Sequence, residues 1–298
     1  MAEPPGFRMK YSLLVDTVVR QIRFIGLMWV LCAGGFLPAH AYVLDAAQIL
    51  DRTVKAIGSS GAAIVHQSLV LHAAAGEGEA PQVSETIRYL FPGRFRSDIQ
   101  TDTVHRIQVW SYGDRVTVIN DQIPAEGEEW FDRYKDLMLY QSVASMEALL
   151  QEAGVNTSVS SFGRFEGRLA YVIGAQYPDD SVPQLWIDKE TFVPFRWILS
   201  GRDPDLIRNL REIRYQGWHK SGGTWYPLRI AFLADDILVR EIQIDRVQPQ
   251  PTLPEEQFDV PRLRWTYQRP TAEAGDAKGG DAEEVQRTIE DFKRIYEP

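Results

Sequence analysis

The sequence predicts a mainly β (α+β) domain: one strongly curved antiparallel sheet, a half-open β-barrel of about 10–12 strands, with helices covering the concave face. Three observations lead to this fold class. From Ala62 onward the hydrophobic period is two, through short segments rich in Val, Ile, Tyr, Phe and Trp. The turns between these segments are too short for crossover helices, so neighbouring strands are antiparallel. Sheets of this size curl, close or split, and the few helices each need a surface for one apolar face.

The first 41 residues predict a cleavable secretory signal. Four bases form its leader: Arg8, Lys10, Arg20 and Arg23. The uncharged run 24–37 is shorter than the roughly 20 apolar residues that a transmembrane helix needs. Ala39-His40-Ala41 follows as a small-x-small cleavage sequence. The mature chain is therefore expected to begin at about Tyr42, in the periplasm.

Charge and cysteine usage exclude several classes of function. The chain has 41 acidic and 32 basic residues, a formal net charge of −9. The bases are scattered among acids along the predicted strands, so no basic stripe is present for a nucleic-acid backbone. Cys32 is the only cysteine and lies within the predicted signal. The mature chain is therefore expected to lack disulfides, thiolate metal sites and cysteine catalysis.

Helical periodicity is confined to three segments after the signal. The first follows an N-cap at Asp45 and stops at Gly58, and the second spans about 134–153. Residues 263–280 are a flexible linker by composition. A last amphipathic helix is expected over 281–298, with four apolar residues on one face: Val285, Ile289, Phe292 and Tyr296. The β domain itself is expected to span 42–262.

Strand-like segments form two groups, one on each side of the second helix. The first group lies near 62–74, 83–91, 94–100, 103–111 and 114–120. The second lies near 156–163, 167–176, 184–188, 193–200, 208–219, 225–234 and 237–247. Turn residues separate the strands, among them Pro92-Gly93, Gly113-Asp114 and Asp235-Asp236.

The apolar faces of these strands carry large side chains that are candidates for a lipid-binding cavity. They are Tyr89, Phe91, Phe95, Trp110, Leu185, Ile187, Trp197, Leu228, Ile230, Phe232, Ile242 and Ile244. Two interpretations stay open: a filled core, or a hollow that a wide curved sheet cannot fill with its own side chains. Arg240 lies two residues before Ile242 and therefore on the same strand face. It is the polar candidate for the cavity, where it would hydrogen-bond a helix carbonyl or a ligand head group. Alternatively, its guanidinium reaches solvent at the sheet rim.

Patterns for catalysis, metals or cofactors are absent from the sequence. His66 and His72 share a strand face but would lie roughly 20 Å apart, too far for one metal ion. The paired acids Asp179-Asp180 and Asp235-Asp236 fall where turns are expected. The Gly-x-Ser-x-Gly elbow, the phosphate-binding loop and the zinc-protease helix are missing. The chain is therefore predicted to have no cofactor and not to be an enzyme. It is also expected to be a monomer.

Several motifs, in order, resemble the LolA/LolB-like superfamily of outer-membrane lipoprotein-sorting proteins. They are LDAAQILDRTVKAIG, IRYLFPGRFRSDI, VWSYGDRVTVIND, LWIDKETFVPFRWIL, YPLRIAFLADDILVREIQIDRV and FDVP, and cover about residues 44–261. The resemblance implies a half-open barrel with a helical lid, whose apolar cavity shields acyl chains of lipoproteins or other lipids in the periplasm. It also implies an inner-membrane release complex and an outer-membrane receptor as partners. The linker and the C-terminal helix are additions to a minimal carrier.

Three other roles remain open at this point. The chain would also suit a periplasmic lipid or lipoprotein sensor that regulates envelope stress and signals through its C-terminal helix. It would suit a structural envelope protein without a ligand, or an enzyme with an unrecognised site. An apolar cavity of several hundred cubic ångströms distinguishes a lipid binder from a structural protein. Convergent polar groups in the cavity, with perturbed pKa values, would indicate an enzyme.

Overall fold

A computed structural model describes residues 43–72, 80–124, 130–200 and 210–267. The predicted signal and the predicted C-terminal helix lie outside these ranges and stay predictions. The described α-helices are α1 (Ala46–Ile57), α2 (Asp136–Leu139), α3 (Val143–Glu152) and α4 (Val260–Thr266). The strands are β1 (Ala62–Val70), β2 (Gln82–Leu90), β3 (Arg94–Gln100), β4 (His105–Ser111), β5 (Asp114–Ile119), β6 (Ser160–Phe165), β7 (Arg168–Ile173), β8 (Gln184–Asp188), β9 (Pro194–Ser200), β10 (Arg211–Gln216), β11 (His219–Ser221), β12 (Thr224–Tyr226), β13 (Arg229–Ala234) and β14 (Ile237–Pro249). Within the described ranges, no helix combines the length and apolar character needed to span a bilayer.

Twelve strands form one antiparallel sheet in the order β5-β4-β3-β2-β1-β14-β13-β10-β9-β8-β7-β6, and β11 and β12 form a separate hairpin. The sheet is not closed: β5 and β6 are its two edges. The meander β1–β5 joins the rest of the sheet through the pairing of β1 with β14, in which Ala63 lies opposite Pro249 and Val70 opposite Glu241. The predicted fold class, a large open antiparallel sheet with a few helices, is confirmed.

Side chains from both halves of the sheet enter one core, which requires the sheet to curve. Phe95 on β3 and Trp197 on β9 both belong to this core, although their strands are far apart in the sheet order. The hydroxyls of Tyr89 on β2 and Tyr226 on β12 lie 3.0 Å apart. Burial of this apolar face, rather than of the opposite one, is the main driving force for the curved arrangement.

Two parts of the chain cover the concave face of the sheet: helix α1 and the segment 130–152. Below, "the lid" means residues 130–152. Helix α1 begins where predicted, because the Asp45 carboxylate accepts a hydrogen bond of 2.8 Å from the Gln48 N–H. Its residues Ile49 and Leu50 are buried in the core of the sheet. The lid adds Leu137, Met138, Met146 and Leu150 to the same core.

The lid differs from the single helix that was predicted over 134–153. It consists of a 3₁₀-helix (Trp130–Lys135), α2 and α3, with a break at Tyr140, whose φ and ψ are −88° and 100°. Ser142 starts α3 through a capping box with Ser145, which satisfies free N–H groups at the new helix end. The apolar period continues across the break since α2 and α3 pack on the same core.

The chain after β14 covers the outer face of the first half of the sheet. Phe258 and Val260 pack there against Val109, Val116 and Val118. Helix α4 therefore continues the domain past the expected boundary at residue 262. The strand expected over 208–219 is also divided, because Gly217 has a φ of 65° and separates β10 from β11.

A matched pair of substitutions measures how much the concave core contributes to stability. Phe232 is fully buried, whereas Leu228, at the start of the same hairpin, is 48% exposed. We expect Phe232→Ala to lower the free energy of unfolding by about 3–5 kcal/mol, since it leaves a cavity. Leu228→Ala should lower it by less than about 1 kcal/mol. Urea denaturation followed by circular dichroism measures both values, and equal losses would contradict the assignment of the core.

Candidate functional site

Most of the predicted cavity residues lie in the packed core of the concave face. Nine of them are buried there: Tyr89, Phe91, Phe95, Leu185, Ile187, Trp197, Ile230, Phe232 and Ile242. Ile244 packs against this core from its margin, and Leu228 is half exposed and does not belong to it. These buried side chains therefore form the support under the lid.

Aromatic contacts join the lid to this support. The ring centre of Phe232 lies 5.3 Å from that of Phe131 and 5.6 Å from that of Trp130, both with edge-to-face geometry. Tyr134 makes a third such contact, at 6.1 Å. Arg240 is buried on the same face, as its parity predicts, and its guanidinium carbon lies 3.8 Å from the ring centre of Phe131. The head of Arg240 thus stacks on the lid.

A pocket of about 490 Å³ opens where the lid breaks, beside two hairpin turns of the sheet. Of the predicted site residues, only Trp110 lines it. The other lining residues come from the β2–β3 turn, the β4–β5 turn and the junction of α2 with α3: Pro92, Gly93, Tyr112, Gly113, Leu139, Tyr140, Gln141, Ser142 and Ser145. Its volume falls within the range of small-ligand sites. Below, "the pocket" means this cavity.

The wall made by the sheet depends on close contact between the two turns. The Tyr112 N–H donates a hydrogen bond of 2.8 Å to the Gly93 carbonyl. A Cβ atom at Gly93, which has a φ of 82°, would lie only 2.8 Å from the Tyr112 ring. Glycine at 93 therefore lets the ring lie across the neighbouring turn, where it stays 68% exposed. This places an accessible aromatic surface at the mouth of the pocket.

The wall made by the lid presents mainly hydrocarbon. The polar side chains of this wall already have partners within the lid. The Gln141 amide donates to the Met138 carbonyl at 3.0 Å, and the hydroxyls of Ser142 and Ser145 are 2.7 Å apart in the capping box. Leu139 and Tyr140 complete the wall. An apolar ligand in the pocket would therefore not need to displace protein hydrogen bonds.

A seam of polar side chains runs under the lid, across the inner face of β1 to β3. Gln67 donates to one carboxylate oxygen of Glu85 at 2.7 Å, and Ser97 donates to the other. The Gln67 amide also donates to the Tyr134 hydroxyl of the lid at 3.2 Å. Burial raises the pKa of Glu85, while the hydrogen bond from Ser97, the charge of Arg106 and the hydrogen bond from Gln67 oppose the rise.

Asp132 anchors the lid to β4. Its two carboxylate oxygens accept hydrogen bonds from Arg106 at 3.0 Å and from Gln108 at 2.8 Å. Burial alone would raise the pKa of Asp132, but the charges of Arg106 and Lys135 and the bond from Gln108 hold it below its ordinary value of 3.8. The buried Lys135 ammonium donates to the Asp132 carbonyl at 2.7 Å and lies 5.1 Å from the ring centre of Trp110. The anchor is thus directly behind the pocket.

The polar seam and the lid anchor were not predicted as site features. In the sequence, polar residues replace apolar ones at inward-facing positions of successive strands. These residues are Gln67, Glu85, Ser97, Arg106 and Gln108. Tyr112 and the α2–α3 junction were also missed, because a positive φ and a helix break have no periodic signal. In the described part of the chain, no three His, Cys, Asp or Glu side chains are grouped for a metal ion.

A second, smaller pocket of about 250 Å³ lies at the second half of the sheet. Arg214, one of its lining residues, contacts the Phe165 ring at 4.9 Å and forms ion pairs with Glu212 and, at 3.4 Å, with Glu166. Arg168 lies over the ring of Phe195 at 4.9 Å and near Asp188 at 3.6 Å. The cations of this pocket are therefore balanced by carboxylates and stacked on rings, which indicates a structural role.

The Asp132 anchor leads to a pH-dependent prediction. We expect Asp132→Asn to lower the free energy of unfolding by about 3 kcal/mol at pH 7, because it removes the carboxylate that pairs with the buried Arg106 guanidinium. The folded-state pKa is lowered, so this stabilisation is complete above the unfolded value of 3.8 and is lost as the pH falls through the folded value. Urea denaturation at pH 7 and at pH 3 should show the difference between variant and wild type shrinking.

The matched control for the anchor is Asp51→Asn. Asp51 forms an exposed i,i+4 pair with Lys55 at 2.6 Å, so its loss should change stability by no more than about 0.5 kcal/mol. An Asp132→Asn effect as small as this would show that the anchor is unimportant, and a larger effect that is independent of pH would show that the carboxylate charge does not stabilise the lid.

Comparisons with known proteins return similarity in fold. No protein-family model and no curated protein matches the chain. A putative outer-membrane lipoprotein-sorting domain from Vibrio parahaemolyticus is 13% identical, with a TM-score of 0.49 over 73% of this chain and 97% of that one. A LolA superfamily protein from Nitrosomonas europaea is 13% identical, with a TM-score of 0.47 over 74% of this chain and 100% of that one. A DUF1329 family protein from Desulfovibrio piger is 14% identical, with a TM-score of 0.47 over 74% of this chain and 100% of that one. These likenesses concern the fold alone.

Proposed function

We propose that the protein is a periplasmic carrier that binds acyl chains of lipoproteins, or of another lipid, in the pocket at the lid break for transfer to the outer membrane. The observation that supports this proposal is the pocket itself: about 490 Å³ between an exposed aromatic turn and the apolar junction of α2 and α3. A structural envelope protein has no need of such an opening beside an otherwise packed core. The resemblance of the motifs to lipoprotein-sorting proteins points to the same class of ligand.

The energetics of acyl-chain transfer fit a pocket of this kind. Each CH₂ group removed from water contributes about 0.8 kcal/mol, so a lipid chain cannot cross an aqueous compartment unshielded at a useful rate. A carrier must also release its cargo, which requires moderate affinity. A pocket open on one side, with Tyr112 exposed at its mouth, covers part of a chain and leaves the remainder accessible to an acceptor.

The polar groups near the pocket support binding rather than catalysis. The Asp132 carboxylate is held by Arg106 and Gln108, and the Lys135 ammonium is bonded to the lid backbone. The pocket is lined by rings, aliphatic carbon and side chains of a helix cap. These residues supply an apolar surface and no pair of groups arranged for proton transfer or nucleophilic attack.

The proposed site is tested by two matched substitutions at exposed hairpin positions. Tyr112→Asn removes the aromatic wall of the pocket, and asparagine tolerates the φ of 50° at this position. Ile237→Asn removes an apolar side chain of similar exposure, 63%, at the β13–β14 turn. With cis-parinaric acid as a fluorescent acyl probe, we expect Tyr112→Asn to raise the Kd at least about tenfold, the equivalent of about two buried CH₂ groups. Ile237→Asn should leave the Kd unchanged.

Native mass spectrometry identifies the natural ligand. Protein purified from its own cell envelope should begin at Tyr42 and carry an acylated species, which Tyr112→Asn depletes. Wild-type protein that carries no lipid and takes up no cis-parinaric acid would refute the proposed function. Equal binding by the two asparagine variants would place the site elsewhere.

A further inference from the structure

We propose that the C-terminal tail of this chain, residues 268–298, docks its amphipathic segment into the pocket and competes there with acyl ligands. This inference rests on the proposed function for the competition, but the docking itself does not require it. The occupant is a segment of the same chain, and its placement follows from where the described chain ends.

The described chain ends close to the β4–β5 turn, two residues of which line the pocket. Helix α4 is fixed to the β4–β5 turn, because the Arg264 guanidinium donates to both Asp114 carboxylate oxygens, at 2.6 and 3.1 Å, and to the Arg115 carbonyl at 2.7 Å. Asp114 directly follows Tyr112 and Gly113, which line the pocket. Tyr267, the last described residue, lies about 4.5 Å further along the helix axis, given a rise of 1.5 Å per residue. The described chain therefore ends three residues after an ion pair with Asp114, which is adjacent in sequence to the pocket residue Gly113.

The length of the intervening chain suits docking within one molecule. Thirteen residues, 268–280, separate Tyr267 from the amphipathic segment. A chain of this length and of Gly-containing composition (TAEAGDAKGG) has an expected root-mean-square span of about 20 Å. A linker of this length gives an effective concentration in the millimolar range at a nearby site. Even a weak interaction of the tail would then occupy the pocket for a substantial fraction of the time.

The sequence of the tail matches the pocket in chemistry. Val285, Ile289, Phe292 and Tyr296 recur at the spacing of one helical face, the pattern by which an amphipathic helix binds an apolar groove. An isolated helix of this length is marginal in water, so the stripe needs a surface to stabilise it. Residues 281–298 carry six acids and three bases. Arg94 and Arg115 stack on Tyr112 and Trp110 beside the pocket, and Arg94 is also paired with Glu255 at 3.0 Å, so the match between tail and pocket rests on the apolar stripe.

Disulfide trapping tests the docking without any lipid. Cys32 is the only native cysteine, so a full chain with Cys32→Ser carries designed cysteines alone. We expect Gln141→Cys and Phe292→Cys to form an intramolecular disulfide under mild oxidation. The control pair combines Phe292→Cys with Leu169→Cys, an exposed position on β7 in the other half of the sheet, and should remain reduced. Equal trapping of both pairs, or a disulfide between two molecules, overturns the proposal.

Probe binding by full-length variants tests the competition. Phe292→Asp places a charge in the apolar stripe, and Gln286→Asp makes the same charge change about a quarter turn away from the centre of the stripe. We expect Phe292→Asp to lower the apparent Kd for cis-parinaric acid by about three- to tenfold, as millimolar tethering of a weak competitor requires, and Gln286→Asp to leave it unchanged. Unchanged affinity in Phe292→Asp refutes the competition.

The two measurements separate this proposal from the proposed function. A trapped intramolecular disulfide without probe uptake by any variant shows that the tail docks and that the acyl-binding function is wrong. Probe uptake that Tyr112→Asn abolishes, with no trapping and no effect of Phe292→Asp, shows that the function stands and the tail proposal fails.

Discussion

Everything else in this fold depends on covering the inner face of a sheet that does not close on itself. A closed barrel fills its interior with side chains from opposing strands, whereas here β5 and β6 remain separate edges. The apolar inner face must therefore be buried by other parts of the chain. Helix α1 and residues 130–152 bury this face. The rings of Trp130, Phe131 and Tyr134 pack directly against Phe232.

The cover combines two kinds of interaction with different consequences. Aromatic and aliphatic contacts supply most of the stabilisation and are insensitive to pH. The Asp132 carboxylate and the seam around Glu85 instead fix the position of the lid, since buried polar groups tolerate only arrangements that satisfy them. These polar contacts therefore hold the lid in one position on strands β1 to β4. Its break at Tyr140 lies beyond that anchored part, and this is where the pocket opens.

The sequence predicts the sheet well and the pocket poorly, for physical reasons that particular residues illustrate. Alternation fixes which side chains face inward, so Tyr89, Trp197 and Phe232 were correctly assigned to one face, and Arg240 joined them by parity alone. Alternation cannot distinguish a core position from a cavity wall, because both demand an inward apolar side chain. The pocket is lined instead by Tyr112, Gly93 and the α2–α3 junction, where positive φ angles and a capping box decide the geometry. Such features depend on tertiary contacts that no local pattern encodes.

The pairing of β1 with β14 has a consequence for how the domain folds. Ala63 and Pro249 stand opposite each other although nearly the whole domain separates them along the chain. Strands β1 to β5 form a meander of local hairpins whose strand pairings do not involve the later chain, but one side of β1 stays unpaired until residues 237–249 arrive. Pairing at such sequence separation is slow, and an open strand edge is a template for aggregation in the meantime. During biogenesis, the edge of β1 therefore stays exposed for a time that is set by the synthesis and pairing of β14 rather than by the folding of strands β1 to β5.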